Sequence, residues 1–335
     1  MPVRKISASA SGRDIAGPMA ELFAPAAKPL ERVRRRLCEC LSTPDEGVNQ
    51  QIETIGAGRG KMLRPALVLL SGLACGKLRR EHIELAAMIE MIHTATLLHD
   101  DVIDQAEKRR NHPTVNRLWG NTAAVLLGDF LLSRAFLAGA ELKTPQAQKI
   151  LGQTAQRICL GELLQNIRRA DWTMDQEDYL DIIEAKTASL FSTACRLGAM
   201  ASGADPATAE NFAAYGRCVG LAFQITDDIL DITGNGKKTG KTMGTDFSQG
   251  KPTLPVIHFL KQQNPTQRKT AVKTFSRELK PKQLVQILND SNSLDYARDV
   301  AENFAAKAVK MLSVQKTTKI IESLKTIALA VGNRA

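Results

Sequence analysis

Aromatic residues are scarce in this chain, at 4% of 335 residues, with only two Trp and three Tyr. A core in a chain that is 44% hydrophobic must then be built from Leu, Ile, Val and Ala, which favours helices packed on helices. The same scarcity weighs against nucleic acid. A net charge of +10 would suit phosphates, but the stacking aromatics that binders interleave with Lys and Arg are missing. Anionic small substrates or an anionic membrane surface remain as partners. No apolar run reaches the roughly 18 residues of a membrane span, and the polar start MPVRKISASASGRD lacks a signal-peptide apolar segment. The six cysteines (Cys38, Cys40, Cys75, Cys159, Cys195, Cys218) have no zinc-ligand spacing. They read as reduced thiols of a cytoplasmic protein. Alternating strand patterns are absent, as are G-x-G-x-x-G, G-x-x-x-x-G-K-[ST] and any Ser-His-Asp or Cys-His arrangement. Rossmann, P-loop and covalent-nucleophile chemistry are thereby set aside.

What is present is helical periodicity. The spacing predicts helices over about 17–43, 63–75, 81–107, 117–141, 145–169, 175–203, 206–233, 251–262, 267–276, 280–290, 294–312 and 315–331. With no linker or convincing boundary, residues 1–335 read as one all-α domain, a single large helical bundle around a central cavity, with 1–16 as a tail. Residues 234–250 interrupt the pattern. They combine Gly234, Gly236, Gly240, Gly244 and Gly250 with Lys237, Lys238 and Lys241, a composition suited to a flexible, basic flap. The run Arg32, Arg34, Arg35, Arg36 reads as a solvated helix face.

Two copies of Asp-Asp-x-x-Asp stand in apolar stretches: Asp100, Asp101 and Asp104 in LLHDDVID, and Asp227, Asp228 and Asp231 in AFQITDDILD. Residues i and i+4 share a helix face, so each copy aims two carboxylates one way with a third nearby. Bare, such carboxylates would repel one another and cost several kcal/mol each to desolvate. Divalent cations remove that cost. Hard oxygen ligands suit Mg²⁺, which binds through one or two carboxylates plus substrate phosphates. One such motif is usually a solvated acidic patch; two in apolar context suggest facing walls that hold a diphosphate through metal.

Cations to match are spread along the chain. Lys61 and Arg64 open a helix, where free N–H groups favour an anion. Lys108-Arg109-Arg110 follows the first motif, and its adjacent arginines could serve two different diphosphates. Lys186-Thr187 sits in the apolar segment IIEAKTASLF, where a buried Lys needs a partner charge that a phosphate would provide. His93 lies two turns before Asp100 on the same face and could bond a phosphate, while His99 reads as core or support. His82, His112 and His258 give no further signal.

Taken together these residues resemble the trans-isoprenyl diphosphate synthase family. The resemblance runs from about Gly60 to Lys251, and the block HTATLLHDDVIDQAEKRRNHPTVNRLWGNTAAVLLGDFLLSRAF is similar to long-chain, octaprenyl-diphosphate-synthase-like members that supply quinone side chains. It implies the isoprenoid synthase fold, a homodimer, and about three Mg²⁺ ions per active site held by the six aspartates. It further implies that Arg109, Lys186, Thr187, Gln224 and Lys241 contact the allylic diphosphate. Lys61, Arg64, His93 and Arg110 would hold isopentenyl diphosphate. Lys251 would lie near the site, and Arg334 would help close it. Arg59, Asn111 and Gln249 depart from the family pattern without removing a metal ligand.

The implied reaction is ionisation of an allylic diphosphate, attack by the double bond of isopentenyl diphosphate and loss of a proton, in a dry cavity. Product length is a steric matter. Short-chain members tend to carry aromatics four and five positions before the first Asp, where this chain has Thr96 and Ala95. A tunnel along Thr96, Ile92 and Met88 or Ile89 would stay open, with its floor at Phe130 or Phe136 and products of about thirty-five to fifty carbons. Other readings are a geranylgeranyl or farnesyl synthase of the same fold, and a non-catalytic subunit of a heteromeric synthase, which would usually have lost acidic residues.

Overall fold

Helices whose inward stripes are Leu, Ile, Val and Ala build almost all of the chain. A computed structural model describes residues 21–56, 58, 60–109, 112–142, 144–234, 244–275, 279 and 281–334. In order these form α1 (Ala27–Leu41), α2 (Glu46–Ile55), α3 (Leu63–Cys75), α4 (Arg80–Ile103), α5 (Val115–Trp119), α6 (Asn121–Ala140) and α7 (Pro145–Ile167). Then come α8 (Gln176–Ile183), a π-helical turn (Glu184–Ala188), α9 (Ser189–Ala201), α10 (Pro206–Thr233), α11 (Thr245–Ser248) and α12 (Leu254–Gln262). The chain ends with α13 (Pro265–Phe275), α14 (Pro281–Asp290), α15 (Ser293–Met311) and α16 (Lys319–Gly332). The tail at 1–16 lies outside the described residues.

Two expected helices, 63–75 and 206–233, have the expected bounds. The latter starts at Pro206 behind Asp205, whose side chain accepts from the Thr208 N–H, an N-cap that satisfies a free backbone donor. Others differ for local reasons. The expected 117–141 helix is two, because Gly120 at φ 84° breaks it. The expected 81–107 helix stops at Ile103, and Lys108–Arg109 pairs with His112–Pro113 as a two-residue antiparallel ladder, β1 and β2, so strand is not wholly missing. Helix α2 was not anticipated, although Asp45 caps it through the Val48 N–H. The arginine run of α1 is only partly solvated: Arg36 Nε lies 2.7 Å from Glu84 Oε2, and Arg34 Nε donates to the Gly58 carbonyl at 3.0 Å.

Two apolar clusters fill the bundle. One gathers α1, α3, α4, α6, α9 and the lower half of α10; the other gathers α8, the upper half of α10 and α12 to α15. Phe304 packs on both. Tyr215, fully buried, donates its hydroxyl to the Leu324 carbonyl at 2.7 Å, which fixes α16 alongside α10.

Helix direction defines the two ends of the bundle. Helices α4, α10 and α16 finish together, at Asp100, Asp227 and Arg334, whereas α3 and α9 begin there. Helix α9 descends to the opposite end, where Ser202 Oγ and the Gly198 carbonyl both meet the His82 ring, at 3.0 and 3.2 Å. The sequence left His82 without a role; it is a fully buried tie between helices.

Helix α6 is long and apolar enough to cross a membrane by composition, with mean hydropathy 1.6, which corrects the reading that no segment is. One face packs through Ala124, Leu131 and Ala135, while Leu126, Phe136 and Leu137 lie more than half exposed. Phe136 therefore cannot floor a tunnel inside this bundle; Phe130 packs on the core, but with Gly128 against His99 and Gly139 against Met88 it stands near the first turn below Asp100, too high to floor a tunnel open past Ala95.

Candidate active site

The π-helical turn puts Lys186 and Thr187 between the two acidic motifs. Its helix can approach α7 and α10 because both offer glycine at the contact. A Cβ on Gly161 would stand 2.6 Å from the Lys186 nitrogen, and one on Gly220 would stand 2.5 Å from the Ala188 Cα. π-bulges inside helices are frequent at functional sites, and this one turns two successive side chains toward different walls.

On the first wall, the Lys186 ammonium pairs with Glu162, donates to Gln165 Oε1 at 2.9 Å, and stands 3.9 Å from Asp100 Oδ2. The charge expected to satisfy this lysine was a phosphate; in the structure Glu162, from α7, satisfies it. Burial alone would lower the Lys186 pKa, but Asp100 and Glu162 outweigh that and raise it. Burial pushes the Asp100 carboxyl up to about 6, against the pull of Lys186.

On the second wall, Thr187 Oγ1 donates to Gln224 Oε1 at 2.8 Å, and Gln224 Nε2 donates to Asp228 Oδ1 at 2.8 Å. The buried Tyr179 hydroxyl donates to the other Asp228 oxygen at 2.7 Å. Burial first, and the neighbouring Asp246 next, push the Asp228 carboxyl up to about 8 despite those hydrogen bonds.

The motifs share a division of labour. Their middle aspartates are buried and spoken for by protein side chains. Asp101 receives the Arg109 fork, with Nε at 2.9 and 3.1 Å and Nη2 at 2.7 Å, and Asp228 receives Tyr179 and Gln224. The outer ones, at i and i+4, are half-buried. Asp104 meets Lys251 Nζ at 2.7 Å and Arg169 Nη2 at 3.3 Å. Asp227 meets Arg334. Asp231 accepts the Asp246 N–H at 3.1 Å. Gln249, which departs from the family pattern, donates to the Asp104 carbonyl at 2.9 Å, a bond that a carboxylate could not make.

A second cationic group lies beside the two walls. Arg64 Nη1 is 3.0 Å from His93 Nε2. Because a guanidinium can only donate, His93 accepts there and carries its proton on Nδ1. The Arg64 guanidinium lies 4.3 Å over the Phe191 ring and 6.0 Å from that of Phe223, and Arg334 lies 4.8 Å from Phe223 on the other side. Lys61 is exposed one turn before Arg64. Arg110, Lys241, Arg59 and Asn111 lie outside the described residues. His99 faces away, its Nε2 3.3 Å from the Val125 carbonyl and 3.4 Å from Asp129.

Glu162, Gln165, Arg169, Tyr179, Phe223 and Asp246 were not singled out from sequence. Only Phe223, adjacent to Gln224 and the second motif, carried a positional signal.

Among the described residues no three His, Cys, Asp or Glu side chains converge into a closed metal cage. Mg²⁺ does not require one, since it keeps waters and substrate phosphates among its ligands. Outer carboxylates on two walls, one held protonated up to about pH 6 by burial, are a donor set that fits such an ion. Metal binding should then release protons. Folded Asp100 and Asp228 hold protons that an unfolded chain has already lost above about pH 4, so metal-free stability should fall as pH rises from there toward 8. The stabilisation given by Mg²⁺ should consequently be larger at about pH 8.5 than at about pH 6, as thermal melts with and without metal would read. Equal shifts at both values would contradict it.

These features together define a helical synthase with paired acidic walls, and the comparisons agree. A family model described as polyprenyl synthetase matches residues 45–290. The chain belongs to the polyprenyl synthetase family. It is 35% identical to octaprenyl diphosphate synthase of Escherichia coli over 301 residues, 89% of this chain and 93% of the relative. A polyprenyl synthase from Caulobacter crescentus, solved with calcium and isoprenyl diphosphate, superposes with TM-score 0.89 at 35% identity, covering 95% of this chain and 99% of that one. A geranylgeranyl pyrophosphate synthetase from Pyrococcus horikoshii superposes with TM-score 0.87 at 30% identity, covering 95% and 100%. The fold is that of the isoprenyl synthases, and the chain is a prenyltransferase.

Proposed function

We propose that this prenyltransferase joins isopentenyl diphosphate head-to-tail to an allylic diphosphate and repeats the step to all-trans products of about thirty-five to fifty carbons. The observation that supports the chemistry is the placement of Lys186 and Thr187 between two acidic walls, with the Arg64–His93 pair alongside. Asp100, Asp104, Asp227 and Asp231 would hold about three Mg²⁺ ions, which when bound would neutralise the departing diphosphate. Lys186, Thr187 and Gln224 would orient the allylic diphosphate. Arg64, His93 and Lys61 would hold isopentenyl diphosphate, with Phe223 between the two anions as an apolar wall that keeps water away. No side chain stands out as a base, and the leaving diphosphate is the natural proton acceptor.

Length rests on sterics, because relatives named for both long and short products are similar to the chain. Ala95 is fully buried and Thr96 half-buried on α4, directly below Asp100. Neither would stop a growing chain as an aromatic would. The test is incubation with Mg²⁺, farnesyl diphosphate and labelled isopentenyl diphosphate, followed by sizing of the dephosphorylated products. A ladder past thirty carbons supports the reading; an end at twenty leaves a geranylgeranyl synthase; no product points to a missing partner subunit.

A homodimer is part of the same reading. Leu126, Leu137, Leu160, Leu163 and Ile167, on the outer faces of α6 and α7, are 52–73% exposed, an apolar surface that monomers rarely leave open. A second copy covering it should make Leu163→Arg monomeric by analytical ultracentrifugation. We place the enzyme in the cytoplasm on the reduced-thiol reading of its cysteines.

A further inference from the structure

The end of the bundle away from the aspartates has its own chemistry. It comprises the turn before α4, the starts of α7 and α10, the end of α9 and the turn between α15 and α16. Helix α16 runs parallel to α10, with Tyr215 bonded to the Leu324 carbonyl and Thr226 to the Val331 carbonyl, so its first residue, Lys319, belongs to this end. The turn before it exposes Lys310, Lys316 and Lys319 around Val314, which is 71% exposed. Lys77 and Arg79 are exposed before α4. Among the described residues no carboxylate lies within salt-bridge distance of these five cations. The acidic groups at this end are instead engaged elsewhere. Glu81 accepts from Thr144, Asp205 caps α10, and Glu210 pairs with Arg196.

Between the same helices lies a half-open cavity of about 330 Å³, whose wall mixes Leu85, Leu197 and Met200 with the polar Arg79, Glu81 and Arg196. Helices α4, α7 and α9, which bound it, are those that lead from Asp100, Glu162 and the Lys186 turn. Fifteen residues of α4 separate Asp100 from Leu85, about 22 Å of helix, so a tail of about five extended isoprene units would arrive there. A longer tail must leave the bundle, and in water it would expose pure hydrocarbon.

We propose that this end docks on an anionic lipid surface, with Val314 seated among the acyl-chain ends and Lys310, Lys316 and Lys319 on the headgroups, so that the lengthening tail passes through the cavity into the bilayer. The lysines supply the charge match, worth about fivefold in binding each, or about a hundredfold for three. The tail route rests on the long-product reading above; the docking does not.

The experiment is co-sedimentation of the full chain with phosphatidylcholine vesicles, with and without phosphatidylglycerol, compared with binding to double-stranded DNA. Wild type should pellet with the anionic vesicles only. The Lys310→Gln, Lys316→Gln, Lys319→Gln triple variant should bind about a hundredfold more weakly, and Val314→Asp should weaken binding further, both with unchanged turnover in detergent. Met200→Trp, which plugs the cavity, should bind vesicles normally yet lose any vesicle stimulation of turnover. Binding to neutral vesicles as strong as to anionic ones, a triple variant that binds like wild type, or equal affinity for DNA would overturn the docking. Products ending at twenty carbons in detergent would remove the tail route and the length reading while leaving vesicle binding to judge the surface by itself.

Discussion

Ala95→Phe should cut the product from about thirty-five carbons or more to about fifteen to twenty, while the first condensation stays within about tenfold of wild type. Ala95 is 0% exposed and lies five residues before Asp100 on α4, so a ring there enters the space that a tail must cross after one or two additions. Overpacking costs about 1–3 kcal/mol, which a folded protein of this size tolerates. Thr96→Phe is the companion variant. Thr96 lies one turn below Asp100 and, among the described residues, its hydroxyl bonds only its own helix, at the His93 carbonyl, so its loss leaves no distant partner there unsatisfied. Product sizing of both variants is the measurement. Long products from both, in folded enzyme, would show that the tail does not run past this face.

The second large effect separates aspartates that the sequence treats alike. Asp100→Asn should lower kcat by about a thousandfold or more, because it removes charge from a group facing the reacting diphosphate. Asp101→Asn should do less, about ten- to a hundredfold, mainly in the KM for the allylic substrate. Its carboxylate is 5% exposed and holds the Arg109 fork, so its loss disorients a binding residue rather than a metal site. Asp228 parallels Asp101, and Tyr179→Phe, which removes one of its hydrogen bonds and leaves the Gln224 bond to it, should raise the KM for the allylic substrate more than it weakens stability. Steady-state kinetics over a Mg²⁺ titration distinguishes these effects. Equal defects in Asp100→Asn and Asp101→Asn would sink the division of labour between outer and middle positions.

Sequence by itself determined the helical class, the helices 63–75 and 206–233, the two acidic motifs and the small residues Ala95 and Thr96. The class, the helices and the shared faces of the motifs follow from composition, from 3.6-residue periodicity and from i, i+4 neighbours on one helix, which are local properties; the weight of Ala95 and Thr96 comes from the family resemblance. The family resemblance also grouped Arg64 with His93 and Thr187 with Gln224, although not in contact. Tertiary structure alone decided which groups meet. Tyr179 and Asp228 are 49 residues apart, Arg334 and Asp227 are 107, and Lys251 and Asp104 are 147. Periodicity says which side chains share a face but not which neighbour that face meets. That is why Glu162 rather than a phosphate partners Lys186, why Phe136 points out of the bundle, and why the middle aspartates turn inward. The π-helical turn likewise has no periodic signature; it exists because Gly161 and Gly220, on two other helices, leave room for it.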